Sequence, residues 1–113
     1  MKYIRTENGV YAIDREGENT VIGVTPTDNF GVWIHKSDII AQASTIEELC
    51  DEFVLFDKSF NTYGVFDKKV ITYKWLKEHR TIYSNCIIYG AIWTDKGLIY
   101  VAKMNDEGKL CLI

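Results

Sequence analysis

Three cysteines and two histidines are the residues of this chain best suited to hold a metal ion. They are Cys50, Cys86, Cys111, His35 and His79. No two of them have C-x-x-C, H-x₃-H or H-E-x-x-H spacing, so three ligands would have to converge from distant segments. We therefore predict no metal and no other cofactor, and we interpret the cysteines as buried structural thiols.

Nucleophilic catalysis would need a nucleophile, a base and an orienting group in contact. His79 could serve as a base for Cys86 or Ser84, but nothing in the sequence marks a nucleophile elbow or an oxyanion hole. The eight glycines are dispersed, so the sequence contains no glycine-rich phosphate-binding loop. We expect a protein that is not an enzyme.

A basic and aromatic segment at 68–83 is the strongest candidate for a binding surface. Residues 1–67 carry five Lys and Arg against twelve Asp and Glu, whereas residues 68–113 carry eight against four. Cations can contact phosphates, and aromatic rings can stack on bases or on a partner's side chains. The candidate residues are Lys68, Lys69, Tyr73, Lys74, Trp75, Lys77, His79, Arg80 and Tyr83.

This segment has two interpretations. As a binding surface, it favours a protein partner over nucleic acid, because the whole chain is acidic with a net charge of −3. Alternatively, Tyr73 and Trp75 belong to the core and the lysines solvate the outer surface. A second charged group is acidic. It could imitate the phosphates of a nucleic acid, but we interpret it as the solvent-exposed face of a helix. It consists of Glu47, Glu48, Asp51 and Glu52.

The composition is that of one small domain, over residues 1–113. With 47% hydrophobic residues, a chain of this length can bury a core without metals or disulfides. No apolar run approaches the roughly 20 residues of a membrane span, and the start MKYIRTENG lacks the apolar stretch of a signal peptide. Odd, dispersed cysteines fit a reducing compartment. We expect a cytoplasmic protein without a membrane partner.

Glycine-containing turns predict antiparallel hairpins. Asp95-Lys96-Gly97 and Asp106-Glu107-Gly108 place a glycine that tolerates positive φ after a polar pair, as in three-residue hairpin loops. Glu7-Asn8-Gly9 and Arg15-Glu16-Gly17 are looser versions of this pattern. The β-branched and aromatic runs between the turns are the predicted strands. They are 2–6, 10–14, 20–24, 31–35, the ambiguous 38–43, 54–56, and a C-terminal meander of 82–94, 98–104 and 109–113.

The meander accounts for the aromatic residues near the C-terminus as members of strands. A three-residue loop at 95–97 would create good cross-strand pairs. They are Trp93 with Ile99, Ile92 with Tyr100, and Ala91 with Val101. The last strand, KLCLI, is expected to be an exposed edge through which a homodimer could form.

One helix is predicted over 45–53, where Thr45 and Glu48 have the spacing of a capping box. Its apolar positions recur as on one helical face. They are Ile46, Leu49, Cys50 and Phe53. The segment 67–80 fits a strand or a helix, and its helix formers favour a short helix at about 68–79. The predicted class is α+β, mostly antiparallel sheet with one short amphipathic helix and this contested second one.

Three segments together resemble a group of small phage- and prophage-encoded proteins of low-GC Gram-positive bacteria. The segments are KYIRTENGVY, ASTIEELCDEFV and TIYSNCIIYGAIWTDKGLIYVAKMNDEGKL. The group has no assigned activity, so the resemblance implies no functional residues, only expression inside a bacterial host cell. We expect a phage-type accessory protein that binds a host or phage protein. Alternatives are inhibition of a host defence nuclease of the CRISPR or restriction type, nucleic-acid binding through 68–83, and a role in the virion.

Overall fold

The computed structural model describes residues 2–57, 59, 61–79 and 86–113. These residues form two five-stranded antiparallel sheets and a short α-helix. The elements are β1 Tyr3–Arg5, β2 Val10–Glu16, β3 Thr20–Val24, β4 Val32–His35, β5 Ala41–Ala43, β6 Glu52–Phe56, β7 Thr62–Asp67, α1 Tyr73–His79, β8 Ile87–Thr94, β9 Gly97–Met104 and β10 Leu110–Leu112. The mostly antiparallel α+β class agrees with the prediction.

Sheet A is formed by the first five strands in the order β4-β3-β2-β1-β5. On one face, Ile4 is fully buried in a small apolar cluster with Ile34. On the other face, Tyr3 packs against the main core. Between β4 and β5 the chain crosses from one edge of the sheet to the other through a 3-10 turn at Lys36–Asp38, after which Ile39 packs on the small cluster.

Sheet B contains the last five strands in the order β10-β9-β8-β6-β7, with β6 between β8 and β7. Side chains alternate along β6, so that Phe53 and Leu55 point into the main core. Tyr73 and Leu76 of α1 pack against the same core, and Val10 contributes from sheet A. Sheet A and α1 therefore both pack on this face of sheet B.

The predicted amphipathic helix at 45–53 is wrong. The chain makes only a 3-10 turn at Glu47–Leu49, Cys50 is already extended, and β6 starts at Glu52. Pairing of β6 with a strand on each side satisfies its backbone groups, and this outweighs a weak helical propensity. The four apolar residues of the predicted face are nevertheless all buried in the main core.

The contested segment forms a helix that begins later than predicted. Residues 68–70 form a turn, in which the Asp67 carbonyl accepts hydrogen bonds from the amides of Val70 and Ile71. Helix α1 starts at Tyr73, because the Thr72 hydroxyl accepts a hydrogen bond from the Trp75 amide and caps the first turn. In the described part of the chain, no helix is long and apolar enough to cross a bilayer.

The strand register around 95–97 differs by one residue from the prediction. Thr94 pairs with Gly97, so only Asp95 and Lys96 form the turn, and Gly97 has a φ of 104°. The observed cross-strand pairs are Trp93 with Leu98, Ile92 with Ile99, and Ala91 with Tyr100. Gly108 also has positive φ, at 79°, whereas Gly9 and Gly17 do not.

Two further strands depart from the sequence analysis. Strand β7, Thr62–Asp67, was not predicted, although it forms one edge of sheet B. Of the ambiguous segment 38–43, only Ala41–Ala43 is a strand, because Lys36–Asp38 forms the 3-10 turn. In the predicted strand 82–94, residues 82–85 lie outside the described residues.

Candidate binding surfaces

The predicted basic and aromatic segment is divided between the core and the surface. Tyr73 is buried, its ring lies 5.7 Å from that of Phe53, and its hydroxyl donates a 2.7 Å hydrogen bond to the Gly108 carbonyl. The Lys77 ammonium lies over the Tyr73 ring, 5.7 Å from its centroid. Tyr73 is therefore a core residue, as the alternative interpretation of this segment held.

The lysines at the start of the segment differ in their surroundings. Lys68 Nζ donates a hydrogen bond to the Glu48 carbonyl, whereas Lys69 and Lys74 are exposed. Arg80 and Tyr83 lie outside the described residues. Within the described part of the segment, Lys69 and Lys74 are therefore the lysines most exposed to solvent.

Trp75 and His79 form the main exposed feature of α1. Their rings stack with centroids 4.0 Å apart and planes 13° from parallel, and His79 Nδ1 lies 2.8 Å from the Trp75 carbonyl oxygen. Trp75 remains 48% exposed. This pair makes a small aromatic surface on one turn of helix, with Lys74 next to it in sequence.

A larger aromatic surface covers the face of sheet B that points away from the main core. Its residues follow from the strand register, because paired residues on neighbouring strands share a face. We call this surface the aromatic face; it includes Glu52, Val54, Phe56, Val65, Asp67, Tyr89, Ala91, Trp93, Leu98, Tyr100, Lys103 and Cys111. The described parts of sheet A and α1 pack on the opposite side of sheet B.

Three rings pack edge-on at the centre of the aromatic face. The centroids of Phe56 and Tyr89 are 5.0 Å apart, and Tyr100 lies 5.6 Å from the first and 5.7 Å from the second. Val54 and Ala91, on the same face, are completely buried. Such edge-to-face contacts stabilise each ring's position, so the surface is packed as well as exposed.

Trp93 and Tyr100 are the most exposed aromatic residues of this face, at 55% and 46%. Trp93 is held at three points although its ring is open to solvent. Its Nε1 donates a 3.2 Å hydrogen bond to Glu52, its amide donates a 2.8 Å bond to Asp51 Oδ2, and its carbonyl accepts a 3.3 Å bond from Arg5.

Arg5 connects sheet A to this corner of sheet B. Its guanidinium donates two hydrogen bonds to the Asp51 carboxylate, of 2.7 and 2.8 Å. Partial burial by itself would raise the pKa of Asp51. The hydrogen bonds from Arg5 and from the Trp93 amide, with the charge of Arg5, outweigh that effect and lower the pKa of Asp51 below its usual value. The Asp51 carboxylate is therefore ionised at neutral pH.

Strand pairing is enough to explain Trp93 and Tyr100 in the sequence, so the sequence alone does not predict a surface there. A signal was present in β8, where Tyr89, Ala91 and Trp93 alternate with an equally apolar set. A strand that is apolar on both faces in an antiparallel sheet indicates that both faces meet something. The acidic group was also misinterpreted, because Asp51 and Glu52 bind Arg5 and Trp93 rather than forming a solvated helix face.

The thiols differ in their surroundings. Cys50 and Cys86 are buried, and burial raises the pKa of Cys50 to about 12 despite the nearby Lys68 charge. Cys111 is only half-buried, and it points to the opposite side of β10 from Leu110, which is buried in the main core. Over residues 2–57, 59, 61–79 and 86–113, no three His, Cys, Asp or Glu side chains are placed to hold a metal ion.

Comparison of this chain with protein-family models, with curated proteins and with solved structures finds no match. The resemblance to phage and prophage proteins therefore stays a prediction.

Proposed function

We propose that this chain is a non-enzymatic, phage-type accessory protein that binds a host or phage protein on the aromatic face of sheet B. One observation supports this most: Trp93 is exposed and yet hydrogen-bonded through its ring to Glu52 and through its backbone to Asp51 and Arg5. Tryptophan and tyrosine are the residues that most often dominate the energy of protein interfaces.

Rigidity favours binding because an ordered side chain loses little entropy when a partner docks. Immobilising a flexible side chain costs roughly 0.5–1.5 kcal/mol at an interface. Phe56, Tyr89 and Tyr100 already restrict one another through their edge-on contacts. A partner that covers them would gain apolar burial with little of this cost.

The charges around the aromatic face favour a protein partner over a polyanion. Glu52 and Asp67 are acidic, and the main cation of this face, Lys103, lies 5.8 Å from the Tyr89 ring centroid. An apolar centre with charges of both signs at its margin is typical of protein interfaces. A nucleic-acid interface would need several cations beside the rings.

The surface of α1 has weaker support. Trp75 offers one exposed ring, but Lys68 is engaged by Glu48 and Lys77 by Tyr73. Nucleic-acid binding through 68–83 would therefore depend on Lys69, Lys74 and the residues outside the described range.

Site-specific photo-crosslinking tests the proposal. We would replace Tyr100 by the photoreactive aromatic residue p-benzoylphenylalanine in one variant, and Trp33 of sheet A in the matched control. Trp33 is also exposed, at 74%, but lies on β4. Each variant is expressed in Gram-positive host cells with and without phage infection and irradiated. We expect a discrete covalent adduct from position 100 and none from position 33.

Competition by chains that lack the photoreactive residue tests whether the aromatic face forms the cross-linked contact. Excess wild-type chain should suppress the adduct. The Trp93→Ser chain should need at least about tenfold higher concentration for the same suppression, as expected for loss of a hot-spot residue. Equal adducts from both positions, no adduct at position 100, or equal competition by the two chains would contradict the proposal.

A further inference from the structure

Strand β10 presents an edge whose hydrogen-bonding groups have no partner within the described residues. Its other edge pairs with β9, where the Asn105 amide donates to the Lys109 carbonyl and the Ile113 amide donates to the Val101 carbonyl. Because an antiparallel ladder repeats every two residues, the N–H and C=O groups of Leu110 and Leu112 point away from β9.

This edge strand is short, with three residues, but it lacks the other features that usually prevent strand pairing. Exposed edges are commonly protected by charged side chains, proline or a β-bulge. The sequence Leu110-Cys111-Leu112 contains no charge and no proline, and its register with β9 has no irregularity. An apolar cleft of about 430 Å³ borders the edge, lined by residues of both sheets that include Ala12, Val24 and Leu112.

We propose that this edge pairs with the β10 strand of a second copy of the chain, in antiparallel orientation about a two-fold axis at Cys111. In this register Leu110 of each copy lies opposite Leu112 of the other. The outward N–H and C=O groups of both leucines then exchange hydrogen bonds, so that all four groups on each chain are satisfied.

The charge pattern of the strand fits this self-pairing. Lys109 lies two residues from the axis, so the two copies of Lys109 stand opposite Ile113 and apart from each other. Like charges destabilise a sheet when they lie directly opposite. An arbitrary extended peptide would satisfy the same backbone groups, but the symmetric register does so with residues already on this chain.

The two-fold axis brings the Cys111 side chains together. They would form a pair without mutual backbone hydrogen bonds, for which the Cα atoms are about 4.5 Å apart. This lies within the range of about 4.4–6.8 Å found in disulfides. The thiol is half-buried on the side of sheet B that also carries Lys103, so it is accessible to a chemical probe.

The dimer is expected to be reversible. Pairing of one short strand, even with the adjoining cleft covered, contributes less than the roughly 1,200–2,000 Å² buried in stable interfaces. We therefore expect monomer and dimer to interconvert, with the dimer favoured at high protein concentration.

Oxidative cross-linking of the purified full chain tests the inference without any other protein. Copper–phenanthroline with dissolved oxygen removes two electrons and two protons from two thiols to form one disulfide. We expect the wild type to give a dimer linked through Cys111 at least about tenfold faster than a Cys111→Ser, Ser37→Cys variant, because pairing raises the effective concentration of the two thiols. In this control the thiol is exposed but remote.

Sedimentation of two matched variants separates pairing from thiol chemistry. Cys111→Ser should retain the concentration-dependent dimer, whereas Cys111→Lys places two like charges at the axis and should abolish it. Leu112→Pro removes an outward N–H that β9 does not use, and it should also give a folded monomer. The inference is overturned if the wild type is monomeric throughout, if Cys111→Lys dimerises like Cys111→Ser, or if cross-linking matches the Ser37→Cys rate.

Discussion

Asp51 holds together three parts of the chain with one carboxylate. It accepts hydrogen bonds from the Arg5 guanidinium of sheet A and from the Trp93 amide of β8. Each of these bonds is stronger when the carboxylate is charged, so the pKa of Asp51 is lowered on folding. The stability that this contributes is present above the pKa of the unfolded chain, and it is lost as the pH falls through the lower pKa of the folded chain.

We expect Asp51→Asn to lower the free energy of unfolding by about 2 kcal/mol near neutral pH, because Arg5 loses a charged partner in a partly buried site. The difference between wild type and variant should shrink as the pH falls below about 4. Urea denaturation across this pH range measures it. Asp106→Asn, at an exposed turn, is the control and should leave the pH profile unchanged. A constant difference at all pH values would contradict the linkage.

The segment 46–56 shows what residue patterns could and could not predict at the level of an element. Apolar spacing identified the residues that enter the core, and all four are buried there. It could not identify the conformation, because a 3-10 turn followed by a strand also brings Ile46, Leu49 and Phe53 to one side. The deciding interactions are the ladders of β6 with β7 and β8, which join distant parts of the chain.

The candidate surface was only partly predictable for the same reason. Lys69, Lys74 and Trp75 are exposed, as a binding segment would require, but Tyr73 is not. The aromatic face combines strands β6, β7, β8 and β9, so it depends on sheet order and register. A shift of one residue at the 95–97 turn changes which residues lie opposite Trp93 and Tyr100.

Close contact between β8 and the turn before β6 gives a prediction at the element scale. A Cβ added at Gly90 would lie 2.6 Å from Cys50 Sγ. We expect Gly90→Ala to reduce the free energy of unfolding by about 1–3 kcal/mol through overpacking.

A second substitution tests this cause. In the Cys50→Ala background, the space left by the sulfur should make the added methyl group at Gly90 less costly, so the two changes should couple by at least about 0.5 kcal/mol. Urea denaturation of both single variants and the double variant measures the coupling. Additive effects would show that the strain at Gly90 has another source.

The molecule as a whole is elongated, with principal extents of 47, 26 and 22 Å and two separate apolar clusters. The smaller cluster, around Ile4, belongs to sheet A alone. Among the described residues, Val10, Tyr3 and Ala43 of sheet A pack in or against the main core, and Arg5 bonds to Asp51. If the chain is a single domain, as predicted, these connections should make the two sheets unfold together.

We expect both sheets to unfold in one transition, because Val10 and Arg5 lie on β2 and β1, two of the three inner strands of sheet A. Two variants that each retain one tryptophan report on the sheets separately: Trp33 on β4 and Trp93 on β8, with the other tryptophans changed to Phe. Their urea midpoints, followed by fluorescence, should coincide with that of the far-ultraviolet circular dichroism signal. Different midpoints for the two sheets would reject the single cooperative unit.

The order of strands in sheet B also affects how the chain folds while it is being made. Sheet A is complete once Ala43 has been synthesised, but Glu52 of β6 must wait for its partner Ala91 on β8. At about 5–20 residues per second, this interval lasts roughly 2–8 s on the ribosome. During that time the apolar run Phe53–Phe56 lacks one neighbour, so nascent chains of intermediate length should be the form of this protein most dependent on chaperones.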